Sequence, residues 1–238
     1  MAGSEAEERI RALVVAAMRR RWPDARIIHE LVLDQGVVRI DLAAVTEDHI
    51  ALAEIKSERD VLTRLPKQLS LATKIAGETW LCTTLKHAGE LDHMRWDRKA
   101  PELSAALRHT VLMFEQDGLL KPRHAGGMDA PVPDVRSVLM MLWAAELQLI
   151  AKPFGGWSKP RFWCMRAIVE NMSGREIRRA VCQALRRRTF ARADDPIGVL
   201  PPEEKVKAQN LFRDPAPAPD FDWQAWREQV ALLGQAQS

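Results

Sequence analysis

Two neighbouring stretches decide the fold: Val37-Val38-Arg39-Ile40-Asp41-Leu42-Ala43-Ala44-Val45 and Ile50-Ala51-Leu52-Ala53-Glu54-Ile55-Lys56-Ser57, joined by Thr46-Glu47-Asp48-His49. Both are aliphatic and the link is short and polar, which predicts an antiparallel hairpin. A third run, Arg26 to Leu33, precedes them across Asp34-Gln35-Gly36 and completes a three-stranded meander. The acids are out of place in such strands. Asp41 lies in an apolar run, where a carboxylate costs free energy unless something pairs with it. Glu54 and Lys56 are two apart and share a face of their strand.

The turns set the register. A turn centred between Glu47 and Asp48 pairs positions whose numbers sum to 95, which puts Asp41 opposite Glu54. A turn centred between Gln35 and Gly36 pairs positions summing to 71, which puts Glu30 opposite Asp41. Three carboxylates then form one row across three strands, and like charges directly opposed destabilise a strand pair. Such a row with one lysine beside it suits a hard divalent cation, Mg²⁺ or Mn²⁺, which takes oxygen ligands. The Ile55 carbonyl lies between the two side chains of Glu54 and Lys56 and is a candidate third ligand. Lys56 is placed to orient a water or offset charge developing on a phosphate. The plainer alternative is a solvated face carrying ordinary charges.

Outward from the meander, Ser4 with Glu7 reads as a capping box opening a helix whose apolar positions are Ile10, Leu13, Val14 and Ala17. Arg19-Arg20-Arg21 suits its C-terminal end. After the meander comes a helix from Leu65 to Ala76, with Pro66 in the first turn and Gly77 just past its end. A fourth strand spans Thr79 to Thr84. A helix near Ala88–Arg95 and strands near Thr110–Glu115 and Leu119–Arg123 follow. The expected fold is α/β, with helices against a mixed sheet. Beyond the Gly126–Pro133 connector, Asp134 caps one apolar helix through Ala151, with Leu139, Leu142, Trp143 and Leu147 buried. Another helix runs from Ser173 or Gly174 to Arg188. The expected units are a core over 1–125, a helical region over 134–192, a Pro-rich linker over 193–220 and a short terminal helix within 221–238. The linker holds six of the fourteen prolines.

A chain of 238 residues with 47% hydrophobic and 28% charged residues reads as an ordinary globular protein. Three cysteines fall short of a four-thiolate metal site or a disulfide scaffold. Acidic Glu5, Glu7 and Glu8 are unlike a signal peptide, and the apolar run Val138–Ala145 is too short to span a membrane. A reducing, cytoplasmic setting is expected. No zinc-spaced partners surround His87 or His93, and Cys164 and Cys182 read as core residues. The formal charge of +3 is only mildly basic, so any surface for nucleic acid must be local. The helix from Arg175 to Arg188 is a candidate, through Arg178, Arg179, Arg186 and Arg187, the alternative being a solvated face in an arginine-rich protein. Arg59, Arg64 and Lys67, just after the carboxylate row, are a second candidate for phosphate contacts, with the same plain alternative of solvated surface charges.

Asp41 followed by Glu54-Ile55-Lys56 at the end of the next strand resembles the active-site signature of the PD-(D/E)xK nuclease superfamily. The helix, meander, helix, strand order also matches the restriction-endonuclease-like core of that superfamily. The runs Val38–Leu42, Glu54–Asp60, Arg64-Leu65-Pro66-Lys67-Gln68 and Leu142–Glu146 look like a bacterial and phage group within it, so the resemblance covers Glu30 to Ile150. It implies a Mg²⁺-dependent nuclease acting on DNA, with Asp41 and Glu54 as metal ligands and Lys56 as the catalytic lysine. It adds Glu30 as an acid preceding the core aspartate, and Gln68 as a helix glutamine that helps hold the metal site or the nucleic acid. There are two departures. Ala72 stands where related nucleases carry tyrosine four residues after the glutamine, and the four-cysteine cluster of some relatives is absent. The rival is a non-catalytic nucleic-acid-binding or assembly protein that keeps this fold. The terminal Phe221, Trp223, Trp226 and Val230 are expected to dock within the chain or on a second copy.

Overall fold

The computed structural model of the protein describes residues 5–96, 98, 100–124 and 133–197. The chain opens with helix α1 (Glu5–Arg21), which has acids in its first turn and arginines in its last, complementing the helix dipole. The meander follows as β1 (Arg26–Leu33), β2 (Val38–Val45) and β3 (Ile50–Lys56). Next come α2 (Leu65–Ile75) and β4 (Glu78–Thr84), then α3 (Ala88–Trp96) and α4 (Pro101–Arg108), and the hairpin β5 (Thr110–Gln116) and β6 (Leu119–His124). Four helices follow: α5 (Val135–Met140), α6 (Ala144–Ala151), α7 (Arg161–Asn171) and α8 (Gly174–Arg187).

The six strands form one open sheet in sequence order. The β1–β2, β2–β3 and β5–β6 pairs are antiparallel, while β3–β4 and β4–β5 are parallel. The parallel pairs need long crossovers, which α2 and then α3 with α4 provide. Both turns of the meander hold the expected register. Leu42 pairs Ala53, and His29 pairs Leu42.

One face of the sheet packs on α1, through Ile10, Val14, Ala17 and Met18 against Leu42, Ala53, Ile55 and Trp80. The other face is covered in two parts. Helices α2 and α4 lie over Leu81, Leu112 and Phe114. Helices α5 to α8 lie over Ile28, Leu31, Ile40, Val45 and Leu52. Residues 134–192 are thus a second layer sharing one core with β1 to β3, since Leu139, Leu147, Ile168, Ile177, Val181 and Leu185 are all within 2% of complete burial.

Three expectations need correction. The single helix from Asp134 to Ala151 is two helices, broken at Met141–Trp143. Asp134 does cap the first, accepting from the Ser137 N–H at 2.7 Å. Trp143 is not buried. It is 60% exposed at the start of α6, where its N–H donates to Glu146 and the Arg188 guanidinium lies 4.5 Å over its ring. The linker does not begin at 193, because Ala193 bridges Ile28 on the outer edge of β1 and the Asp194 N–H donates to the Ile27 carbonyl at 2.9 Å. The Ser4 cap, most of the connector, the rest of the Pro-rich stretch and the terminal tryptophan helix lie outside the described residues. Among the described residues no helix is long and apolar enough to cross a membrane.

Candidate functional site

The line through Glu30, Asp41 and Glu54 is where the meander departs from regular pairing. The β1–β2 ladder runs on either side of Glu30 and Asp41 without joining them, and the β2–β3 ladder ends one step short of Asp41 and Glu54. Glu30 has φ of 58°, a left-handed conformation that a residue with a Cβ seldom adopts. Around it the burial alternation slips. Ile28, then Leu31 and Leu33, enter the same core, as do Val38, Ile40, Ala43 and Val45. A regular ladder would set like-charged carboxylates side by side; here Arg11 Nη2 lies against both Glu30 and Asp41.

Each acid has its own surroundings. Asp41 Oδ2 accepts from the Ile55 N–H at 2.7 Å, tying β2 to β3 where their ladder stops. Its Oδ1 lies 3.4 Å from Arg11 Nη2. Arg11 comes from α1, is buried, and also reaches Glu7 at 2.8 Å, Glu30 at 3.3 Å and the Asp41 carbonyl at 3.1 Å. Glu30 is held on its other oxygen by Arg39 at 2.7 Å. Glu54 is 2% exposed and its Oε1 accepts from Lys56 Nζ at 2.5 Å. Burial raises the Glu54 pKa to about 8, and Asp41 adds to the rise against the opposing pull of Lys56 and Gln68. Burial also raises Asp41, against the Ile55 N–H and the Arg11 charge.

Gln68 on α2 donates from Nε2 to the Arg39 carbonyl at 3.3 Å. Its Oε1 and Glu54 Oε2 are both buried without a hydrogen-bond partner. Both oxygens are acceptors in a site that already holds two cations, Arg11 against Asp41 and Lys56 against Glu54. Asp41, Glu54, the Gln68 amide oxygen and the Ile55 carbonyl are the oxygens that could hold a hard divalent cation, which takes oxygen ligands. In an extended strand the N–H and C=O of one residue face the same neighbour, so the Ile55 carbonyl faces β2 with its N–H. Among the described residues no three His, Cys, Asp or Glu side chains form a metal-holding group, so carboxylates alone do not complete the set. Glu30 is bound to two arginines and stands at the margin of the site.

Arg59, Arg64 and Lys67 are exposed on the segment that leads from β3 into α2, with no carboxylate within ion-pair distance among the described residues. The arginines of α8 divide. Arg178 is half-buried, and Arg179 and Arg187 are exposed. Arg186 turns inward, donating to the Asp24 and Val45 carbonyls at 3.0 and 3.1 Å, so its guanidinium is committed to the fold. His87 is buried on the Ser57 carbonyl, and Cys164 and Cys182 are buried and free. Arg11 is the one participant that the strand pattern did not reveal. Its signal was its place beside Ile10 and three before Val14, on the apolar side of α1.

The family model described as Bacteriophage P4 protein cII matches residues 1–197. No curated protein and no solved structure matches the chain.

Proposed function

The chain belongs to the bacteriophage P4 protein cII family, and we propose that it is a divalent-metal-dependent nuclease that hydrolyses phosphodiester bonds in DNA on a restriction-endonuclease-like core. The observation that carries this reading is the buried Glu54 carboxylate, with Lys56 Nζ 2.5 Å from its Oε1, Gln68 of α2 against it and Asp41 close enough to raise its pKa. Asp41 and Glu54 anchor the cation, and Gln68 fixes the α2 side of the site. Held there, Mg²⁺ or Mn²⁺ would supply Lewis acidity and a water that is nucleophilic near neutral pH. The residues of the chain do the rest. The Asp41–Ile55 hydrogen bond holds the two strands at a fixed separation, and α2 shields Glu54 from bulk water. Lys56 presents Nζ on the face of β3 that carries Glu54, where it can offset negative charge developing on a phosphate. Arg59, Arg64 and Lys67 line the approach and suit phosphate contacts.

A second reading, a non-catalytic nucleic-acid-binding or assembly protein, draws on Arg11 and Lys56, which already lie against Asp41 and Glu54. Calorimetric titration with Mn²⁺ separates the two. The nuclease reading expects one site per chain, with affinity reduced at least tenfold by Asp41→Asn and by Glu54→Gln. Absence of binding to the unaltered protein at millimolar Mn²⁺ favours the second reading.

A further inference from the structure

Helix α8 carries its arginines at the wrong end. Arg175, Arg178 and Arg179 lie in its first turns, where the helix dipole is positive and cations are unfavourable. The one acid there, Glu176, is spent on the cap, accepting from the Ser173 N–H and hydroxyl at 2.7 Å. The C-terminal arginines of the same helix differ, since Arg186 and Arg188 are buried on backbone carbonyls and Glu146. The three N-terminal ones have no ion pair among the described residues. Together with Asp48, from the turn between β2 and β3, they line an open cavity of about 470 Å³. Three guanidiniums gathered at a positive helix end against one carboxylate suit an anion.

We infer that the cavity lined by Asp48, Arg175, Arg178 and Arg179 binds a backbone phosphate of DNA at a distance from the carboxylate site. Guanidinium groups match phosphate oxygens in geometry as well as charge. Asp48 precedes β3, and Glu54 lies near its other end. Six residues at about 3.3 Å each separate the two sites by about 20 Å. Along one strand of duplex that is about six nucleotides. The six-nucleotide spacing rests on the nuclease reading; the phosphate site itself does not.

The test measures binding of an oligonucleotide duplex of about 20 base pairs by fluorescence anisotropy in EDTA across a salt series. It compares the unaltered protein with the triple variant Arg175→Gln, Arg178→Gln, Arg179→Gln and with Asp48→Asn. The expected results are an affinity about tenfold weaker for the triple variant, with a log–log salt slope shallower by about 1–2, and tighter binding for Asp48→Asn. If the triple variant fails to fold, Arg179→Glu alone, at an exposed position, takes its place with the same expectation. An unchanged salt slope in the arginine variants overturns the inference. So does inorganic phosphate or a mononucleotide raising the melting temperature of the unaltered protein while duplex binding ignores the variants, for the cavity then takes a small phosphate. Loss of duplex binding in a protein that cleaves nothing keeps the phosphate site and removes the nuclease reading. Cleavage with unaltered binding does the reverse.

Discussion

At the scale of single residues, the site is a set of charges held in places that water would normally claim. Asp41, Glu54, Lys56 and Arg11 are all largely buried, and each stays there because another member offsets it. His29, one residue before Glu30, shows the reverse case. Its Nδ1 is buried without a partner, and burial lowers its pKa to about 4, with Arg192 and Arg11 adding to the shift and Glu8 opposing it. The unfolded chain therefore takes up a proton on this histidine near its ordinary value of about 6.5, while the folded chain resists it down to about 4. Stability is fully present above pH 6.5 and is lost as the pH falls through that window. Thermal melts from pH 7 to 4 should show His29→Gln losing less stability than the unaltered protein. Parallel curves would mean that His29 is not held neutral by the fold.

The elements explain why some of this was legible beforehand. Turn composition around Gly36 and Asp48 determined the register of β1 to β3, so the line of Glu30, Asp41 and Glu54 followed from counting. The positive φ at Glu30 did not, since nothing in Leu31 or His29 signals it. Helix α7 was not foreseen. Its Cys164, Met165 and Ile168 are buried, but Phe162, Trp163 and Val169 are exposed, so apolar residues lie all round it and leave no periodic stripe. The break between α5 and α6 was hidden because Leu139, Leu142 and Leu147 are buried on both sides of it. That break depends on Glu146, which caps the Trp143 N–H and is the carboxylate partner of the buried Arg188. Glu146→Ala leaves Arg188 buried without its acid and should cost about 3 kcal/mol. For a domain of this size the melting temperature should fall by roughly 6–12 °C. A change under 2 °C would show that the pair contributes little.

On the scale of the whole molecule, the chain closes on itself through its last described residues. Asp194 Oδ2 accepts from the Ile27 N–H at 2.9 Å, Oδ1 binds Arg19 at 2.9 Å, and its carbonyl accepts from Arg26. This strap covers the outer edge of β1, which would otherwise present unpaired backbone groups to another chain. Asp194→Ala should lower stability by about 1–3 kcal/mol in denaturant unfolding and raise the tendency to associate through β1. Light scattering and the unfolding midpoint check both, and no change in either would make the strap incidental. The sequence placed this segment in a linker because its prolines outweighed one short bridge.

Lys56 beside Glu54 is either a group that serves the chemistry or a counter-ion alone. Mg²⁺-dependent nicking of supercoiled plasmid, compared between the unaltered protein and Lys56→Ala, separates the two most directly. The nuclease reading predicts cleavage that needs Mg²⁺ and falls about a hundred- to a thousandfold in the variant, the typical loss when one transition-state contact is removed, while DNA binding in Ca²⁺ is retained. Cleavage by Lys56→Ala at the unaltered rate, or no Mg²⁺-dependent cleavage by the unaltered protein, would contradict it.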